Sequence, residues 1–204
     1  MALIKNKNSI LFLYEGETEK EFYKKIFDIF IEPRSIRINY GNLKGVYDLN
    51  NKVESKIKAY LDNKNPKEFN NINVFIAYDR EGDRNTDTLL NLKELKNTFI
   101  YEKSRIKSIH EIVATQDLES WLFNDLDNIY SFLKIPNSKR NLKAYPNCEM
   151  VNNRTLSSLF HKNKKHYQKG KSVSNFINSL DLVKIYNSVP DLRNGITEMK
   201  KLYQ

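Results

Sequence analysis

Two unbroken apolar runs constrain this chain more than any other feature: Ser9–Tyr14 (SILFLY) and Ile72–Tyr78 (INVFIAY). Each is strand-sized and lacks the alternation of a half-exposed strand. Each therefore reads as a strand buried on both faces, as in a parallel sheet covered by helices. Each also ends in acid. Glu15-Gly16 closes the first run, and Asp79-Arg80-Glu81-Gly82-Asp83 closes the second. Ligands of open parallel sheets bind beyond the carboxyl ends of the strands, so both acidic ends fall where a ligand site belongs. Crowded carboxylates repel one another, and a hard dication such as Mg²⁺ or Mn²⁺ relieves that repulsion with oxygen ligands. The glycines behind the acids, Gly16 and Gly82, suit a sharp backbone turn beside a ligand.

The rest of the chain fits the same frame. Thr18 and Glu21 suggest a capping box. Phe22, Ile26 and Phe30, flanked by Tyr23 and Phe27, have helical spacing up to Pro33. Ser35–Asn39 reads as a strand, Gly41–Gly45 as a loop, Val46–Leu61 as a helix and Asn63–Asn71 as a polar connection. Thr86–Asn97 is helical with Leu89, Leu92 and Leu95 inward, and Phe99–Tyr101 and Ile109–Ala114 are strand candidates. Strands alternating with helices imply an α/β class with a mostly parallel sheet flanked by helices. After Thr115 the pattern becomes helical: Leu118–Phe123, Leu126–Leu133, Arg154–Lys162, Val173–Leu180, Leu182–Tyr186 and Leu192–Leu202. The expected organisation is an α/β domain over residues 1–115, with a C-terminal helical extension over 116–204 packed on it as one unit. Trp121 belongs to that shared core.

Charge is unevenly placed. Residues 1–102 carry 17 basic and 16 acidic groups, whereas residues 103–204 carry 17 basic and 9 acidic. Between Lys134 and Lys171 there are 10 basic residues and one acidic residue, Glu149. Such a segment suits a phosphate backbone, DNA or RNA, with Arg154, Lys162, Lys164, Lys165 and Lys171 as contacts. The alternative is drift in a chain rich in Lys and Asn. Lys44 reads as an exposed loop lysine, with contact to phosphate as the alternative. No apolar run approaches the length of a membrane span, and a cytoplasmic protein is expected. The single cysteine, Cys148, rules out an internal disulfide and a cysteine-rich zinc site. His161 and His166 read as solvent-facing. Gly170-Lys171-Ser172 imitates the end of a P-loop, but Lys165 stands where its first glycine is required.

The acids also have structural readings. Glu17, Glu19 and Glu21 begin a helix, where negative charge suits the helix dipole, and are assigned to capping. Asp79, Glu81 and Asp83 alternatively form a solvated loop paired with Arg80 and Arg84.

At this point the residues resemble a family. Tyr14-Glu15-Gly16-Glu17-Thr18-Glu19 resembles the V-E-G-x-T-E opening of stand-alone TOPRIM proteins, including the RloB-like group linked to phage defence. Asp79-Arg80-Glu81-Gly82 resembles the D-R-E-G of type IA topoisomerases. Gln116-Asp117-Leu118-Glu119-Ser120-Trp121-Leu122 resembles a Q-x-x-E-x-W-L signature, and Tyr167-Gln168-Lys169 a Tyr-x-Lys. OLD-type nucleases and bacterial primases share the domain. The resemblance implies a TOPRIM-like fold and a Mg²⁺- or Mn²⁺-dependent nuclease hydrolysing phosphodiester bonds. It implies Glu15 as general base or acid and metal ligand, and Asp79, Glu81, Asp83 and Glu119 as further ligands. Lys169 becomes a catalytic cation, and the further partners a second copy of the chain or an ATPase. Two positions depart from the topoisomerase pattern: Ala77 stands two before Asp79, and the second acid is Glu81. The alternatives are a nucleic-acid-binding TOPRIM module without catalysis, a primase-like nucleotidyl transferase, or a HAD-like phosphatase with Asp79 as nucleophile. Against the last, the first strand ends in Glu15.

Overall fold

The structure is a computed structural model that describes residues 8–31, 36–63, 70–80, 90–102, 104–170 and 173–202. Four strands, β1 (Asn8–Tyr14), β2 (Arg37–Asn42), β3 (Asn71–Asp79) and β4 (Ile106–Ala114), form one sheet in the order β2-β1-β3-β4. All three pairings are parallel. Phe12 lies between Tyr40 and Phe75, and Tyr14 between Asn42 and Ala77. The chain runs outward from β1 to β2, then crosses back to β3 on the other side of β1. The topological switch point therefore lies between β1 and β3, the two strands that end in Glu15 and Asp79.

Helices cover both faces, which explains the unbroken apolar runs. Ile10, Phe12, Tyr14, Phe75, Ala77, Ile112 and Ala114 share one core with α1 (Glu17–Phe30) and the C-terminal helices. These are α4 (Leu118–Leu122), α5 (Leu126–Phe132), α6 (Asn153–Lys162), α7 (Ser174–Asn178), α8 (Leu182–Ser188) and α9 (Pro190–Lys201). Leu11, Leu13, Ile72, Val74, Ile76 and Tyr78 face α2 (Leu49–Asp62) and α3 (Leu92–Phe99). The first core has no seam between the sheet and the extension. Phe22 and Trp121 rings lie 6.4 Å apart, and Phe30 stacks on Tyr186 at 4.0 Å. On α9, a Cβ at Gly195 would sit 2.4 Å from Ile112 Cγ1, so the helix backbone rests directly on β4. Asp125 is buried and accepts the Asp181 N–H at 2.7 Å, which fixes the start of α8 to the turn before α5. Among the described residues no helix is long and apolar enough to cross a membrane.

Several local expectations are corrected. The Thr18–Glu21 capping box does not form. The helix starts at Glu17 behind Gly16, which contributes no side-chain cap, and the Thr18 hydroxyl instead accepts the Gly170 N–H at 2.9 Å. β2 lies two to three residues later than Ser35–Asn39. Phe99 ends a helix and Tyr101 lies in an exposed turn, so 99–101 is no strand. Leu89 and the start of the helix expected from Thr86 lie outside the described residues, and α3 begins at Leu92. His161 and His166 are exposed, as expected. Their rings nevertheless come within 6.5 Å, because α6 stops at Lys162 and the chain turns back.

Candidate active site

A cleft of about 350 Å³ opens at the switch point, lined by Glu15, Asp79, Gln116, Asp117, Asn152, Asn153, Arg154 and Lys169. Glu15 and Asp79 meet there. A Glu15 carboxylate oxygen accepts the backbone N–H of Asp79 at 3.2 Å. Parallel pairing of β1 with β3 makes the encounter unavoidable, since neighbouring strands run about 4.8 Å apart and these two end side by side.

Two further carboxylates are buried beside them. Glu119, at the start of α4, has no solvent exposure. One of its oxygens accepts the Tyr167 hydroxyl at 2.8 Å and stands 3.5 Å from the Lys169 ammonium. Its other oxygen is buried with no hydrogen-bond partner among the described residues. Glu19 is 5% exposed. It belongs to the buried face of α1, with Phe22, Tyr23, Ile26 and Phe27, rather than to a solvated cap. A Cβ on Gly16 would lie 2.8 Å from a Glu19 carboxylate oxygen. Gly16 has extended backbone angles (φ −149°) that any residue adopts. Its lack of a side chain therefore serves to make room for Glu19, not to permit a special turn.

The electrostatics follow from this crowding. Burial pushes the Asp79 carboxyl well above its usual range, and Glu19, Glu15, Glu119 and Asp117 push it further. Glu19 rises to about 7, through burial first and then Glu119 and Glu15, while its own N–H and Lys169 pull it down. Asp117 rises to about 6 through burial and Glu119, although N–H groups of Asn153 and Ser120 hold it down. Burial opposes the charge on Lys169, but Glu119, Asp79, Glu19 and Asp117 outweigh it and hold its pKa above the ordinary value. Five carboxylates thus crowd together, and three of them, Glu19, Asp79 and Glu119, are buried.

Asp117 also has an architectural duty. One oxygen caps α4 by accepting the Ser120 N–H at 3.0 Å, and the other accepts the Asn153 N–H at 2.6 Å at the start of α6. This bond presents Asn152, Asn153 and Arg154 to the cleft. The segment 167–170, held by Tyr167 to Glu119 and by Gly170 to Thr18, brings Lys169 to the cleft.

Of the residues anticipated from sequence, Glu15, Asp79, Glu119, Lys169 and Arg154 converge. Glu81, Asp83 and Lys171 lie outside the described residues. Lys162 and Lys164 are exposed but do not line the cleft. Lys165 donates to the Phe132 carbonyl at 2.5 Å and sits 4.4 Å over that ring, so its ammonium is engaged within the fold. Glu19 stands in the first helical turn and accepts its own N–H, as the capping reading has it, but its side chain is also buried in the cluster, which capping does not account for. The signal was present in the sequence, because Glu19 continues the stripe of Phe22, Tyr23, Ile26 and Phe27 at helical spacing. Cys148 is half-buried, and burial raises its thiol pKa, which suits an unreactive thiol.

Among the described residues no group of three or more His, Cys, Asp or Glu is arranged to hold a metal ion as it stands. The present rotamers of Glu119 and Glu15 are set by Tyr167, Lys169 and the Asp79 N–H. In donor chemistry the set does fit a hard dication. It offers oxygen ligands, an excess of negative charge and one buried acceptor with no partner.

A family model described as Domain of unknown function (DUF4276) matches residues 14–200, a span that contains every residue of the cleft. No curated protein and no solved structure matches the chain.

Proposed function

This chain belongs to the DUF4276 family, and we propose that it is a metal-dependent nuclease of TOPRIM-like type that hydrolyses phosphodiester bonds. The observation that carries this reading is the Glu119 carboxylate, wholly buried with one oxygen unpartnered among the described residues, beside Asp79, Glu15 and Glu19. An unpaired buried acceptor costs about 1–3 kcal/mol, and more when charged. Such an arrangement makes sense where a ligand supplies the missing positive charge. Each of the four segments behind the TOPRIM resemblance places a residue in this one cleft, Glu15, Asp79, Gln116 with Asp117, and Lys169, which supports the same reading.

Asp79, Glu15, Glu119 and Glu19 would hold Mg²⁺ or Mn²⁺. When bound, that ion supplies Lewis acidity toward a phosphoryl oxygen and lowers the pKa of an attacking water. The remaining work falls to the chain. Lys169 and Arg154, which both line the cleft, bind phosphate oxygens, and Lys169 offsets charge that builds during attack. Glu15, at the mouth of the switch point, accepts the proton of the attacking water and returns it to the leaving oxygen. Tyr167 fixes one oxygen of Glu119, and the other, unpartnered among the described residues, would be available to the ion. Asp117 holds the Asn152–Arg154 wall in place.

The test combines binding and turnover. Titration calorimetry with Mn²⁺ should show binding that Asp79→Asn and Glu119→Gln weaken at least tenfold. Labelled single- and double-stranded DNA and RNA should be cut in Mg²⁺ or Mn²⁺, spared in EDTA, and spared by Glu15→Gln. Tight Mn²⁺ binding that ignores both substitutions would remove the cluster from the metal site. Binding of nucleic acid without cleavage in any metal would favour a non-catalytic module.

A further inference from the structure

A second groove adjoins the cleft on its β2 side and shares Glu15 and Lys169 with it. It is lined further by Gly16, Glu17, Thr18, Glu19, Asn42, Lys44, Gly45 and Gly170. Together the two form a trough along the carboxyl edge of the sheet. From β2 to β4 that edge is about 14 Å across, three strand spacings.

The outer wall of the trough is a loop held by several bonds. Leu43 N–H donates to Tyr14 O at 2.8 Å and Gly45 N–H to Glu15 O at 3.1 Å. Lys44 N–H donates to the Asn42 side chain at 2.7 Å. The Lys52 ammonium, reaching from α2, takes the carbonyls of both Lys44 and Gly45, at 3.0 and 3.1 Å. Lys44 also adopts a left-handed conformation (φ 56°), which a lysine enters only at a cost. Yet the two side chains this loop displays most openly do nothing for the fold. Lys44 is exposed, and its ammonium makes no bond among the described residues. Tyr47, two residues beyond Gly45, is 87% exposed.

The charges lie so as to admit a phosphate. Glu17 has both oxygens occupied, by Asn42 at 3.1 Å and Lys20 at 3.1 Å. Glu15 and Glu19 belong to the acidic cluster that the proposed dication would neutralise. Lys44 and Lys169 then dominate the groove, with Lys52 behind.

We propose that this groove is a subsite for the nucleotide flanking the scissile phosphate, with Lys44 on its phosphate and Tyr47 stacked on its base, so that the strand bound is unpaired. A base within a duplex has both faces covered and cannot stack on a protein ring, whereas an unpaired base can. The proposal rests on the nuclease reading of the adjoining cleft, but its test does not depend on turnover. Anisotropy of a short fluorescein-labelled oligo(dT) or oligo(U), and of a matching duplex, is measured in Ca²⁺ as a function of salt. Tyr47→Ala should weaken single-strand binding about tenfold, Tyr47→Trp should restore it, and duplex binding should not change. Lys44→Ala should flatten the salt dependence by about 0.7 log units per log unit of salt, one phosphate on a single strand. Equal losses on single strand and duplex, or no loss with either variant, would overturn the subsite while leaving the cleft's chemistry untouched. Absence of any nucleic-acid binding by the wild type would overturn both. Failure of cleavage alone, with the Tyr47 pattern intact, would remove the nuclease reading and keep the strand-binding groove.

Discussion

Glu19→Gln isolates the physics of the acidic cluster. The folded state holds the Glu19 carboxyl at about 7 against an ordinary value of 4.5. Well below pH 4.5 the residue is protonated in both the folded and unfolded chain and contributes no difference. As pH rises from 4.5 toward 7 the unfolded chain ionises first, and the folded chain lags behind. Metal-free stability therefore falls across this window and levels off above it. The shift corresponds to roughly 3 kcal/mol at its ceiling. The substituted amide has nearly the same shape as the carboxyl and no charge, so the variant should match the wild type at about pH 4. At about pH 8 in EDTA it should be the more stable protein, by up to roughly 3 kcal/mol. Urea unfolding at several pH values reads the difference directly. His110, whose pKa burial lowers, tilts both proteins alike, and its contribution cancels between them. Mn²⁺ should reverse the order at the alkaline end, because the wild type keeps a carboxylate that the ion can use. A constant gap between the two proteins at all pH values would refute the reasoning, since a packing change has no such window.

Tyr167→Phe should cost about 1–3 kcal/mol in urea unfolding, because it leaves Glu119 with a second buried oxygen lacking its hydroxyl donor. Gly195→Ala should destabilise by about 1–3 kcal/mol although alanine is the better helix former, since its Cβ would meet Ile112 at 2.4 Å. Ile112→Val should recover part of that loss, again by urea midpoint. Lys165→Ala should leave the salt dependence of nucleic-acid binding unchanged, because its ammonium is held by Phe132. The exposed Lys162 and Lys164, replaced together, should flatten it by roughly 0.9 log units for each phosphate they contact on duplex DNA.

The sheet was legible because periodicity reports burial. β1 and β3 are buried on both faces and carry almost no polar punctuation, so their limits and their parallel pairing could be read directly. The edge strand β2 is half-exposed along its length, and its sequence RINYGN has little to distinguish it from a loop. Phe99 misled for a related reason. A β-prone dipeptide, Phe99-Ile100, falls at the end of a helix, where Phe99 packs inward and the chain then turns. In the site, residues closing strong strands were legible, since strand ends in a parallel sheet converge. Acid in a first helical turn has an ordinary explanation, which accounts for the position of Glu19 but not for its burial. Only its phase relative to the apolar stripe shows that it points inward. Asp117 and Tyr167 act through contacts with residues far along the chain, Asn153 and Glu119, which no local pattern reveals.

The acidic cluster does not hold this fold together; the fold holds the cluster. Its raised pKa values are unfavourable terms, worth a few kcal/mol in the absence of a cation. Against them stands the core shared by the sheet and the extension. Phe12, Phe22, Phe75, Leu122, Leu156, Ile177, Ile185, Leu192, Ile196 and Met199 are all fully buried there. Each contributes about 1.5–3 kcal/mol before chain entropy is counted. The extension is therefore more than a covering for one face of the sheet. It brings Glu119, Asp117 and Lys169 to the switch point and stabilises a region that a sheet with α1 alone would leave as two acidic strand ends in water. Charge follows the same division. The near-neutral first half supplies Glu15, Glu19 and Asp79, and the basic second half supplies Arg154 and Lys169. On the proposed reading, an anionic substrate held by the second half would meet the acids of the first. At its rim the Gly170 N–H to the Thr18 hydroxyl ties the two halves together, and Asn153 to Asp117 braces the second half's side of the cleft.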